Sequence, residues 1–216
     1  MLIALYLIFM WVATEATMGI MQRVFYFHFP AAIASFWAVF VGGIASIQYL
    51  KTRDSRYDDL AVAANESVMV FEAINILLGS IWGRRAWGIW WTWDARLTSA
   101  LLLFLIYFAY VTLRHAAPVE QRGTIGAVIC IFGMADVPVI YMANRLFRTQ
   151  HPAPVLAGGE NSGMETDMFV TLMVATVAML MLWWCVVRVR RRLESSARRQ
   201  EALSREIYSR IGYLTL

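Results

Sequence analysis

DMFVTLMVATVAMLMLWWCVVRVRRR, residues 167–192, decides the fold class. After Asp167 come twenty uncharged, mostly apolar residues, and then Arg188, Arg190, Arg191 and Arg192. Twenty residues of α-helix rise roughly 30 Å, the thickness of a bilayer's hydrocarbon core. The block is a membrane span, and the arginines mark where it leaves the lipid. Working back along the chain, the same test finds spans at about 1–18, 31–50, 59–81, 96–113 and 124–146, with this one at 167–187. The composition agrees, at 60% hydrophobic and 16% charged residues, against about a quarter charged in soluble domains. Lipid offers the backbone no hydrogen bonds, so the spans must be helices. The short alternating segments of a β-barrel are absent. The expected fold is therefore all-α and polytopic, with six transmembrane helices. It comprises a membrane domain over 1–187 and a basic tail over 188–216.

The N-terminal MLIALYLIFMWVATEA has no basic region in front of its apolar run, so it reads as a retained first helix and not as a signal peptide. Cys130 and Cys185 lie in separate apolar segments with no CxxC spacing, which gives neither a redox pair nor a thiolate metal site. Nucleic-acid binding is a poor fit, because the net charge of +4 is not spread over a soluble face.

Lys and Arg set the orientation. Thirteen fall in the loops 51–58 and 114–123 and the tail after 187, while six fall in the opposite loops. The thirteen mark the cytoplasmic side and place both termini there. The outer six are all arginine: Arg23, Arg84, Arg85, Arg96, Arg145 and Arg148. Arginine is suited to bidentate recognition of carboxylate or phosphate, although any one of them also suits a snorkelling helix end.

Three outer connections, at about 19–30, 82–98 and 147–166, carry the chemistry. In the first, RVFYFHFPAA (23–32), His28 sits among aromatics just before Pro30. Pro30 suits the first turn of the second helix, which would put His28 at or just above the membrane surface. In the second, WGRRAWGIWWTWDARLTS (82–99), five of the chain's nine tryptophans cluster: Trp82, Trp87, Trp90, Trp91 and Trp93. An interfacial belt explains one or two per loop; five suggest a wall for a flat apolar ligand. Asp94 is placed to cap the fourth helix, and Arg96 either pairs with it or reaches an anionic ligand. The third, RLFRTQHPAPVLAGGENSGMETD (145–167), holds His151 directly before Pro152. The remaining histidine, His115, is read as a solvated loop residue. Two imidazoles, an aromatic wall and cations for two propionates (Arg84, Arg85, Arg96 and Arg148 are the candidates) meet the requirements of a haem.

Inside the membrane, Glu66 and Glu72 lie on the third helix with Asn65 and Asn75, and Asp136 lies on the fifth, two residues before Pro138. Buried acids are costly and face the bundle interior. They serve either a proton or substrate path or interhelical hydrogen bonding, and their role is open at this point.

WGIWWTWDARLTS resembles the tryptophan-rich signature of the haem-handling family of cytochrome c maturation that comprises CcmC, CcmF and CcsA. FYFHFPAA and ADVPVIYMANRLFRTQHPAP resemble the two histidine-bearing segments of the compact CcmC type, and the resemblance covers most of 1–187. It departs at Phe29, where valine is common, and at Asp136, where an uncharged residue is expected. CcmF and CcsA carry further histidines within their helices, which this chain lacks.

The resemblance implies b-type, non-covalent haem at the outer face of a bacterial inner membrane. His28 and His151 would be axial ligands of its iron, and Trp82, Trp87, Trp90, Trp91, Trp93 and Asp94 would line the site. It implies transfer of haem to a CcmE-like periplasmic chaperone, with CcmA/CcmB-like ABC-transporter subunits and a CcmD-like small protein as partners alongside membrane lipid. The chain itself is expected not to be an enzyme, and the absence of a Walker sequence leaves ATP hydrolysis to a partner. The alternatives are a CcsA-like haem-ligation component and a multi-span permease that uses Glu66, Glu72 and Asp136.

Overall fold

The computed structural model describes residues 1–147, 149 and 164–214. Every regular element among them is helical. A short helix α1 (Leu2–Tyr6) continues as a π-helical turn, Leu7–Trp11. A 3-10 turn at Ile20–Val24 leads into α2 (Phe25–Thr52). Then follow α3 (Ser55–Trp87), α4 (Ala95–Ala116), α5 (Val119–Leu146) and α6 (Thr166–Leu214). The last five are long and apolar enough to cross a membrane, so the chain is a multi-pass membrane protein. The first expected crossing is represented by the ten residues Leu2–Trp11, which rise only about 15 Å, half a bilayer core. This piece lies along the start of α6, where Ala4, Ile8 and Val12 pack with Tyr26, Leu172, Ala175 and Ala178. Beyond it, in the turn before α2, the half-buried Glu15 carboxylate accepts the Met18 N–H. Hydrogen bonds from the Met18 and Thr17 backbone hold that carboxyl below its ordinary pKa.

The helices run past their apolar cores. The turns between α2 and α3 and at the end of α3 are closed by backbone geometry: Arg53 and Gly88 adopt left-handed conformations with φ of 58° and 78°. Gly88 ends α3 two residues before Trp90, donating its N–H to the Arg84 carbonyl at 3.2 Å. Asp54 caps α3, accepting the Arg56 N–H at 2.9 Å. α6 continues through the basic tail to Leu214, supported by Arg–Glu pairs one turn apart such as Arg190–Glu194 at 2.9 Å.

α2 is the central helix, packed against α3, α5 and α6. Small residues, Ala31, Ala34, Ser35, Ala38, Gly42 and Ala45, form its buried face, and small residues let helices approach closely where lipid supplies no hydrophobic drive. Large apolar side chains such as Trp37, Phe40, Phe108, Phe132 and Met181 point outward, as expected of lipid-facing positions.

The two ends of the bundle differ. At one, the arginine end, the loops 51–58 and 114–123 and the α6 extension come together. The Arg114 guanidinium donates to both Asp58 carboxylate oxygens, at 2.9 and 2.7 Å. Arg198 reaches Asp58 at 2.7 Å and Asp59 at 2.8 Å. Asp58, Asp59 and Arg114 are buried. Arg190 grips Glu66, with Nη2 at 2.9 Å from Oε1. At the other end, the tryptophan end, lie the start of α2, the end of α3 and the start of α4.

Candidate functional site at the tryptophan end

His28 is not in a loop. α2 begins at Phe25, five residues before Pro30, and the proline sits inside the helix. The reason is the apolar run Phe25–Phe29: in lipid its backbone must bond to itself, and Phe25 packs against Tyr26 and Phe29 at ring distances of 5.9 and 5.8 Å. His28 is thereby carried into the bundle, against α3. Its Nδ1 lies 3.0 Å from the Asn75 carbonyl oxygen. A carbonyl can only accept, so Nδ1 carries the proton and Nε2 holds the lone pair. Among the described residues no hydrogen bond reaches Nε2.

Gly79, one turn beyond Asn75, makes this approach possible. A Cβ built there would come within 2.9 Å of the His28 ring. The same α2–α3 interface repeats inward: Ser35 Oγ donates to Glu72 Oε2 at 2.7 Å, and Gly42 meets the Asn65 side chain. Glu72 is fully buried and takes a second donor, Asn75 Nδ2, at 3.1 Å. Asp136 on α5 and Arg96 on α4 are near enough to act electrostatically on Glu72, and Arg96 also acts on His28. Asp136 Oδ2 is buried with no hydrogen-bond partner among the described residues.

Four of the five tryptophans meet in two pairs. Trp82 and Trp87 meet edge to face at 5.7 Å and 90°. Trp91 and Trp93 do so at 5.7 Å and 77°. Trp90 and Trp93 are 59% and 76% exposed, the others half-buried. The cluster is thus a set of crossed rings, not one flat wall. The Trp82 and Trp91 indole N–H groups are buried without an acceptor among the described residues, as is Arg23 Nε. Orphaned donors at one end of a bundle fit a ligand that carries acceptor oxygens.

Asp94 is the cap it was expected to be. One carboxylate oxygen accepts the Arg96 and Leu97 N–H groups, both at 3.0 Å, and the other accepts Thr92 Oγ1 at 2.9 Å. Arg84 and Arg85 are exposed on the last turn of α3, and Arg96 stands in the first turn of α4. His151 and Arg148 lie outside the described residues.

The three acids do not form one group. Glu66 belongs to the arginine end with Arg190, while Glu72 shares Asn75 with His28 and Asp136 acts on Glu72. The partners of His28 went unrecognised in the sequence, yet a signal was present. Glu72, Asn75 and Gly79 fall at three- and four-residue steps on α3, and His28, Ser35 and Gly42 at seven-residue steps on α2, the spacings of facing helix stripes.

The family model for heme exporter protein C matches residues 1–206. The chain is 32% identical over 197 residues to heme exporter protein C of Bradyrhizobium diazoefficiens, covering 90% of this chain and 74% of that protein. It is 31% identical over 202 residues to that of Rhodobacter capsulatus, covering 90% and 81%, and 30% identical over 176 residues to that of Haemophilus influenzae, covering 80% and 70%. With a match of that extent, and with the histidine and tryptophan segments assembled at one end of the helices, the chain belongs to the heme exporter protein C family.

Proposed function

We propose that this chain handles haem for cytochrome c maturation, holding b-type, non-covalent haem at its tryptophan end and handing it to a CcmE-like chaperone on the periplasmic side. The observation that carries this reading is His28, whose Nδ1 is tied to the Asn75 carbonyl so that Nε2 is the ring's coordinating atom. The residues around it fit the group. Trp82 and Trp91 offer indole N–H donors with no acceptor among the described residues, and Arg84, Arg85 and Arg96 stand at the same end for the propionates. Bound haem supplies an iron with two axial positions; His28 takes one, and His151, on the resemblance, takes the other. No bond-making residue is needed, so the chain is a binding and transfer protein. CcmA/CcmB-like ABC subunits and a CcmD-like small protein are its expected partners.

The orientation we propose puts the arginine end in the cytoplasm of a bacterial inner membrane. Its support is the gathering of the cation-rich loops and the α6 extension at one end. The N-terminal helix then belongs to a sixth crossing beside α6, with both termini cytoplasmic. Cysteine labelling from each side tests this: a cysteine in the exposed Arg84–Arg85 turn should react from the periplasm and one at exposed Arg199 only after lysis, and the reverse pattern would invert the assignment.

The function is tested by the absorption spectrum of the full chain purified from haem-replete membranes. A six-coordinate low-spin haem spectrum that diminishes when the apo-chaperone is added is the expected result. Protein that carries no haem, or haem that the chaperone leaves in place, would refute the reading.

A further inference from the structure

Glu72 has no place in ligation or in the arginine-end network, yet among the described residues it is the most enclosed charged side chain. Its two carboxylate oxygens are used differently. One takes Ser35 Oγ from α2 at 2.7 Å, the other Asn75 Nδ2 from α3 at 3.1 Å. Asn75 is also the residue whose backbone carbonyl receives His28 Nδ1 at 3.0 Å. Ser35 lies seven residues, two helical turns, below His28 on the same face of α2. Glu72 therefore ties together the two helices at the level just beneath the histidine, and holds the turn of α3 that orients the ring. Gly79 completes the arrangement by leaving room for that ring.

We propose that Glu72 is a positioning residue for His28, fixing through Ser35 and Asn75 the α2–α3 register in which the Asn75 carbonyl orients the imidazole. The inference rests on the reading of His28 as a haem ligand. Outer partners of metal-bound histidines set ring orientation and ligand basicity, and their loss costs about 10–100-fold in affinity. Glu72 acts one residue further out than such a partner, so its effect should fall near the lower bound.

The test is a ferric haem titration of the full chain in detergent, with electron paramagnetic resonance of the bound state, for Glu72→Gln, Ser35→Ala, Gly79→Ala and His28→Ala. Glu72→Gln should weaken haem binding about tenfold and shift the g-values of the low-spin signal, since ring orientation sets them. Ser35→Ala should do the same to a smaller degree, and it decides the matter if Glu72→Gln does not accumulate. Gly79→Ala, which pushes on the ring itself, should move the g-values in the same way. A purely structural role would lower the melting temperature and leave the g-values and affinity of the folded fraction unchanged; that result overturns the proposal. If instead His28→Ala binds haem like the wild type, the underlying ligand assignment fails, and the positioning role with it.

Discussion

The His28→Ala protein is expected to bind haem at least tenfold more weakly than the wild type and to lose its six-coordinate spectrum, while melting within a few degrees of it. The two halves of this expectation come from different contacts. Haem loses an axial ligand outright. The protein loses one hydrogen bond to the Asn75 carbonyl, an oxygen that still faces the Gly79 N–H within α3. A neutral hydrogen bond contributes about 1 kcal/mol, and the cavity left beside Gly79 adds to that only modestly because the ring is half-buried at the end of the bundle. Binding should therefore collapse without the fold. Haem titration and thermal melting of the same preparation check it. Wild-type affinity would remove His28 from the site, and loss of folding together with haem would make the spectrum uninformative about ligation, placing the weight on the g-value shifts expected of Gly79→Ala.

This placement of His28 shows where sequence reading stops. The helices themselves were legible because each crossing is a long apolar block with basic residues beyond it, a signal that lipid thickness imposes. Their ends were not, since α6 runs on through Arg188–Leu214 on Arg–Glu pairs that hydropathy scores as polar tail. Asp94 was legible as a cap, because capping is local and needs only a short side chain before an apolar run. Pro30 misled: it marks a helix start when the preceding residues are free to leave the helix, and here the aromatic run before it is held in lipid. The His28 contact has no side-chain signature at all, because its acceptor is a backbone carbonyl. Glu66 and Glu72 look alike in sequence. Six residues apart, they point about 120° apart around α3, and only tertiary packing gives one to Arg190 and the other to Ser35.

The largest loss of stability is expected at the other end, from Asp58→Ala. Asp58 and Arg114 are both buried and joined by two hydrogen bonds of 2.9 and 2.7 Å, and Asp58 also receives Arg198 at 2.7 Å. Removing the carboxylate strands the Arg114 guanidinium, left with the Arg122 carbonyl at 3.1 Å and a Glu194 oxygen at 3.9 Å. Breaking a buried pair in this way costs about 3–5 kcal/mol. Arg114→Met should cost less, because Asp58 keeps Arg198. The double variant, Asp58→Ala with Arg114→Met, should recover part of the Asp58→Ala loss, since no unpaired guanidinium then remains buried; the two effects are coupled and do not add. High salt should change little, because the pair is shielded from solvent. Thermal melting of the three proteins in detergent, with their levels in the membrane, reads the cycle. The Asp58→Ala protein melting like the wild type, or a double variant equal to the sum of the singles, would show that this cluster does not hold the α6 extension against α3 and α4. With the cluster intact, the arginine end clamps α3, α4 and α6 from one side, and α3 carries into the tryptophan end the Asn75–Gly79 turn against which His28 of α2 packs.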